Sequence, residues 1–212
     1  MTSFFLTSFF LTSLGDGVTN VLGFGLAVGL GMVHILAGRS HGLSRLPQER
    51  WASFAGGISI AYVFLNVFPE LSQAQADIED WENWLVVYFE NHVYLLSLIG
   101  LSLFYGLEKL AVRSRDHNRK MHGKNETEPN VFWFHIIFFA MYNAILGYLF
   151  RASAIHGITD CALLFFALGL HFVVNDVALR EHHQRAYNRF GRWILAVAIV
   201  AGWSKVLAAS SV

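Results

Sequence analysis

Apolar residues occur in six long runs, and charged residues are concentrated between them. The runs cover residues 17–38, 51–71, 91–111, 131–150, 158–179 and 190–207. Each run is close to the roughly 20 apolar residues that a helix needs to cross the hydrocarbon core of a bilayer. Only Pro69 of the three prolines lies inside a run, so most runs predict uninterrupted helices. The pattern predicts an all-α, polytopic transmembrane bundle of about six helices, forming one membrane domain over residues 1–212.

The amino-acid composition agrees with a membrane location and argues against some classes of function. Only 14% of residues are charged, against about 25% in a typical soluble domain. The zero net charge predicts no nucleic-acid partner. Residues 1–16 repeat an apolar pentad and are interpreted as an interfacial segment, or alternatively as an extension of the first helix. No nucleophile–base set or phosphate-binding loop is evident, so an enzyme is not expected.

The basic residues predict the orientation. Thirteen of the 15 lysines and arginines fall on one side of the six-helix arrangement, and only Arg151 and Lys205 fall on the other. Because basic loops stay in the cytoplasm, segment 112–130 is predicted to be a cytoplasmic loop. Both termini are then outside, and we expect the plasma (inner) membrane of a bacterium.

Polar residues inside the runs are the places to look for function, because they are costly in lipid. The fifth run contains His171, Asn175 and Asp176. His171 and Asn175 are four residues apart and share a helix face, where an imidazole and an amide oxygen suit a cation. The alternative is that these side chains only hydrogen-bond neighbouring helices.

Other runs contain polar side chains that fit either a path or packing. In the second run Tyr62, Asn66 and Glu70 form a stripe at steps of four, next to Pro69. The fourth run holds His135, Tyr142 and Asn143, and the first holds Asn20 and His34. Gly25 and Gly29, also in the first run, permit close helix packing within the chain or in a homodimer.

Three stretches together resemble the ZIP family of divalent metal transporters. They are the second-run sequence FAGGISIAYVFLNVFPE at 54–70, GLEKL at 106–110, and HFVVND at 171–176. The resemblance implies a bundle packed around the second, fourth and fifth helices. Where the family has its metal-binding histidine in the second helix this chain has Asn66, and where it has a glutamate in the fifth helix this chain has Asn175. The family's fourth-helix metal motif would fall on 142–147, of which Asn143 and Gly147 match. The family usually has eight spans.

The resemblance and the polar residues together predict a divergent carrier of Zn²⁺, Fe²⁺ or Mn²⁺ with a degenerate site, or a relative that has lost transport. The predicted metal ligands are His171, Asn175, Asp176 and Asn143, and the predicted path-lining residues are Asn66 and Glu70. One alternative is an accessory or scaffold subunit whose aromatic surface docks on a larger membrane complex. Another is a haem-binding electron carrier with His135 and His171 as axial ligands.

Overall fold

The computed structural model describes residues 21–37, 48–69, 72, 93–154 and 158–209. We number the helices in chain order: α1 Val21–Leu36, α2 Gln48–Tyr62, α3 Val93–His122, α4 Pro129–Ala154, α5 Ile158–Ala186 and α6 Arg192–Ala209. A π-helical turn, Val63–Val67, continues α2, and another, Tyr187–Gly191, joins α5 to α6. The described ranges contain no strand, which confirms the all-α prediction.

Three helical stretches are long and apolar enough to cross a membrane: Tyr94–His122, Pro129–Phe150 and Cys161–Ser204. Two shorter apolar helices, Val21–Leu36 and Ser53–Leu65, accompany them. These lengths and compositions are those of an integral membrane protein. The number of crossings and the sides of the termini remain predictions.

The stretch from Cys161 to Ser204 is not one straight rod. Gln184 has a left-handed backbone with φ of 42°, and the π-helical turn follows it. In a continuous helix Cys161 and Trp203 would lie about 60 Å apart, yet both belong to one core cluster. The chain therefore reverses near Gln184, and α6 returns to pack against α4, so α5 and α6 are separate helices, as the two separate apolar runs predict.

The core lies where α1, α4, α5 and α6 meet. Its main cluster joins residues of all four helices: Ala27, Leu30, Phe150, Cys161, Leu164, Leu168, Phe172, Ile199 and Trp203. Two glycines let α4 and α6 cross with their backbones almost touching. A Cβ on Gly147 would collide with the carbonyl oxygen of Ile199, and one on Gly202 with that of Ala144. This crossing fixes α4 against α6 next to Asn143.

Proline explains the irregular end of α2. Pro69 has no N–H, so the carbonyl four residues earlier loses its helical partner. The preceding turn widens to a π-helix, in which the Phe68 N–H bonds the Val63 carbonyl five residues back. Such turns are frequent at functional sites. Glu70, predicted to line a path here, lies outside the described residues, as does the side chain of Asn66.

The predicted cytoplasmic segment 112–130 is mostly helical. α3 continues to His122, and Gly123, with φ of 68°, ends it by donating its N–H to the Arg119 carbonyl. α4 begins at Pro129, so the connection is only 123–128. Aliphatic side chains of α3 such as Leu98, Ile99 and Leu101 are more than half exposed, as expected of a helix that faces lipid.

The two glycines of the first run have different surroundings. A Cβ on Gly29 would lie 3.2 Å from the ring of Phe165 in α5, so this glycine serves packing within the chain. Nothing lies within 4 Å of a Cβ on Gly25. The homodimer through this face stays a prediction.

Candidate functional site

Four buried side chains form a hydrogen-bonded row at the centre of the bundle, which we call the inner network: His34, Asn143, Asp176 and Tyr187. His34 Nδ1 lies 2.9 Å from Asp176 Oδ1, and His34 Nε2 lies 2.8 Å from Asn143 Oδ1. The Tyr187 hydroxyl donates to the same Asp176 oxygen. The network links α1, α4, α5 and the π-helical turn. At most 1% of each side chain is exposed.

The geometry determines where the protons are. The Asn143 amide nitrogen donates to the Phe139 carbonyl at 2.8 Å, so Asn143 Oδ1 is an acceptor and His34 Nε2–H must donate to it. His34 Nδ1 and Asp176 Oδ1 then share one further proton. Whether that proton is on the imidazole or the carboxyl group, the pair is neutral overall. The bundle therefore holds an ionisable pair without burying a net charge.

The inner network is not fully saturated. Asp176 Oδ2 is buried and has no hydrogen-bond partner among the described residues. Phe172 stacks on the His34 ring with centroids 4.4 Å apart, which holds the imidazole between Asp176 and Asn143. A buried carboxylate oxygen with a vacant lone pair is expensive unless something occupies it. It is therefore the atom in this network best suited to meet a cation.

The predicted ligands of the fifth helix divide into two groups. His171 and Asn175 share a face, as predicted, with Asn175 Nδ2 2.9 Å from His171 Nε2. The Tyr142 hydroxyl of α4 lies 3.3 Å from the same nitrogen. Asp176 and Asn143 instead contact His34. Because the Asn175 amide donates to it, His171 Nε2 is an acceptor, and His171 is a neutral imidazole protonated at Nδ1.

A second group of polar side chains, the end network, lies where α3, α4 and α5 emerge from the apolar core. His183 Nε2 lies 2.9 Å from His135 Nδ1, and His183 Nδ1 lies 2.5 Å from Thr127 Oγ1. Beside them His182 Nε2 lies 2.7 Å from Glu108 Oε1, and the Thr127 N–H donates to the His182 carbonyl. The two histidines of the haem hypothesis thus have different partners: His135 belongs to the end network, and His171 contacts Asn175 and Tyr142.

Within the part of the chain that the structure describes, no three His, Cys, Asp or Glu side chains come together as a metal site. The inner network offers one imidazole, one carboxylate and one amide oxygen. Such mixed nitrogen and oxygen donors suit Zn²⁺, Fe²⁺ or Mn²⁺. His34 lies between the other two, so its ring must turn before all three can face one ion.

Two members of the inner network have no role in the predicted site. His34 appears in the sequence only as a polar residue of the first run, and Tyr187 lies among the arginines between the last two runs. Their distance from Asp176 along the sequence is not a helical spacing of three or four residues, because the contacts join separate elements. An isolated histidine deep in an apolar run was the available signal.

No family model, curated protein or solved structure matches this chain.

Proposed function

We propose that this chain is a ZIP-like integral membrane protein of a bacterial inner membrane that carries divalent cations through the interior of its bundle. In this proposal about six helices cross the bilayer and both termini are outside. One observation supports the proposal most: Asp176 is buried among apolar helices, with one carboxylate oxygen bonded and the other without a partner among the described residues. Ionisable groups inside membrane bundles mark ion pathways.

The ion would bind in exchange for a proton. Asp176 and His34 share one proton, and a cation that takes the carboxylate and the imidazole nitrogen must displace it. Asn143 Oδ1 then supplies a neutral oxygen ligand. One carboxylate leaves a divalent ion with a net positive charge in an apolar medium, which is costly. Binding is therefore weak and exchangeable, as cargo requires, and Zn²⁺, Fe²⁺ and Mn²⁺ are the expected ions.

The neighbouring face of α5 extends the path. His171 and Asn175 lie one position before Phe172 and Asp176, and the Tyr142 hydroxyl reaches them from α4. A neutral imidazole with an accepting nitrogen is a second nitrogen ligand for an ion that leaves Asp176. In this proposal Asn66 and Glu70 of the second run line the entrance.

The second candidate function is a non-transporting accessory or scaffold subunit of a larger membrane complex. The surface of α3 favours it, because this helix exposes a long row of apolar and aromatic side chains: Tyr94, Leu95, Leu98, Ile99, Leu101 and Tyr105. Lipid would cover such a surface, but so would the helices of a homodimer or a partner subunit. In this reading the inner network only holds the helices together.

Ion flux into proteoliposomes separates the two candidates. Vesicles that contain the wild type are loaded with a metal-sensitive dye and should admit Zn²⁺, Mn²⁺ or Fe²⁺. Vesicles that contain Asp176→Asn should lose this flux, because the amide is a neutral and weaker ligand. The matched control is Asp116→Asn, which makes the same change at a half-exposed residue that pairs with Arg119 on the surface of α3. Folding of each variant is checked by gel filtration.

The same measurements can contradict the carrier proposal. A wild type that admits none of the three ions, and whose melting temperature none of them raises, has no cation site. In that case the accessory function becomes the better proposal. If Asp176→Asn leaves the flux intact, the ion path does not pass through the inner network.

A further inference from the structure

An open cavity of about 600 Å³ lies at the end of the bundle, above the end network. Its walls come from the ends of α3 and α5, the connection 123–128 and the first turn of α4. Four charged side chains line it, together with His122: Lys124, Arg185, Glu126 and Glu128. The volume is in the range of small-molecule sites.

The four charged side chains of the cavity sum to zero charge, and none of them forms an ion pair with another described residue. The cavity has two cations and two carboxylates, and none of the ion pairs between described residues includes any of them. Charged groups collected around one cavity without pairing are available to a ligand. A ligand that satisfies both signs must itself carry a positive and a negative group.

Aromatic side chains form the other side of the cavity. Phe132 is buried in the wall, and Trp133 and Phe190 are nearly half exposed, with ring centroids 6.1 Å apart. The α3 residues of the cavity, Asn118 and His122, belong to the charged end of this helix, which follows its apolar part from Arg113 onward. The cavity therefore lies at the level where a bilayer changes from hydrocarbon to headgroups, and aromatic residues are enriched at this level.

The frame of the cavity is held in place before any ligand arrives. Asn118 Nδ2 donates to the Glu126 carbonyl at 3.0 Å, and the Glu128 N–H donates to Ser114 Oγ at 3.0 Å. Thr127 between them is fixed to His183 of the end network. A site whose backbone is already ordered loses less entropy on binding.

We propose that this cavity binds a membrane phospholipid with a phosphoethanolamine headgroup. Lys124 and Arg185 bind the phosphate, Glu126 and Glu128 accept hydrogen bonds from the ammonium group, and the lipid chains run along Trp133 and Phe190. A choline headgroup has no N–H to donate to the carboxylates, and a glycerol headgroup has no positive charge. The site uses none of the inner-network residues, so it is independent of cation transport.

The test measures lipid binding to delipidated protein in detergent, by intact-complex mass spectrometry and by the shift in melting temperature. Phosphatidylethanolamine, phosphatidylcholine and phosphatidylglycerol with identical acyl chains are compared. We expect about tenfold tighter binding of phosphatidylethanolamine than of the other two, the size of one lost charge-assisted hydrogen bond. This comparison uses the wild type alone, so it does not depend on any variant folding.

Three variants assign the contacts. Glu126→Gln with Glu128→Gln should remove the preference over phosphatidylcholine. Lys124→Gln with Arg185→Gln should weaken binding of all three lipids about tenfold or more. The control, Arg119→Gln with Lys120→Gln, removes two charges from the same end of α3 outside the cavity lining and should change nothing.

Several results would overturn the proposal. Equal binding of all three lipids indicates a non-specific lipid annulus, and tightest binding of phosphatidylglycerol indicates a site for anions. Soluble glycerophosphoethanolamine that binds as tightly as the lipid would show that the aromatic wall contributes nothing and that the ligand is not a membrane lipid. A control variant that loses as much binding as the cavity variants would assign the effect to general charge.

Discussion

The two polar networks of this protein both contain histidines but are built differently. The inner network joins side chains from three helices and a π-helical turn, and water does not reach it. The end network joins α3, α4 and α5 and also fastens the connection 123–128 to α5. Thr127 bonds His182 through its backbone and His183 through its side chain. Its Glu108 is nearly half exposed, and its other members are buried.

This difference shows what each network can do. In the inner network neither lipid nor water can supply a substitute hydrogen bond. Losing one member therefore leaves a buried polar atom of another member unsatisfied. In the end network Glu108 is nearly half exposed, and Thr127 and His183 line an open cavity, so water can replace a side chain lost there at a lower cost. We therefore expect the inner network to control global stability and ion handling, and the Thr127 contacts of the end network to control the order of 123–128. Three substitutions test this division.

The largest effect is expected for His34→Leu. The change removes the partner of both Asp176 and Asn143, and breaking a buried pair in this way costs about 3 kcal/mol of unfolding free energy. The melting temperature should fall strongly, while hydrogen exchange of 123–128 stays as in the wild type. His117→Leu, the same change at an exposed position of α3, is the control. Faster exchange in 123–128 of the His34 variant would show that the two networks are coupled.

A somewhat smaller effect is expected for Gly202→Ala, although it changes no polar atom. Its Cβ would collide with the Ala144 carbonyl oxygen and push α4, with Asn143, away from His34. Overpacking of this kind costs roughly 1–3 kcal/mol of unfolding free energy. Gly57→Ala, where a Cβ meets nothing within 4 Å, is the control and should not lower stability.

A double substitution shows whether the Gly202 effect acts through the inner network. Gly202→Ala and His34→Leu together should lower stability by less than the sum of the two, because the second finds the network already broken. Additive losses would mean that the α4–α6 crossing and the inner network are independent.

The smallest effect is expected for Thr127→Val, which removes the hydroxyl bonded to His183 but keeps the shape of the side chain. The cost should be about 1 kcal/mol of unfolding free energy, with faster hydrogen exchange confined to 123–128. Thr127→Ser keeps the hydroxyl and is the control. A fall in melting temperature as large as that of His34→Leu would contradict the division between the networks.

Most of the fold could be predicted from the chain alone. The runs 131–150, 158–179 and 190–207 correspond to α4, α5 and α6, because a run of apolar residues in lipid has few structures other than a helix. α3 extends further than its run, to His122, because its last turns are charged rather than apolar. Hydropathy measures where a helix meets lipid, and it does not detect a helix that continues into water.

The candidate site was predicted only where its residues share a helix. His171 and Asn175 pair as their spacing of four indicates, and Asn143 and Asp176 are both buried polar residues of the inner network. The sequence alone does not predict that these two residues bond His34, or that Tyr187 bonds Asp176. Those contacts depend on how α1, α4 and α5 are rotated about their axes.

The sequence by itself determined that the protein is helical and membrane-bound, and which residues would be costly to bury, because both follow from local composition. The tertiary structure decided which polar groups meet. That depends on helix rotation and separation, which the glycine contacts at Gly147 and Gly202 and the reversal at Gln184 set. These are steric properties of pairs of helices far apart in the chain, so no single segment encodes them.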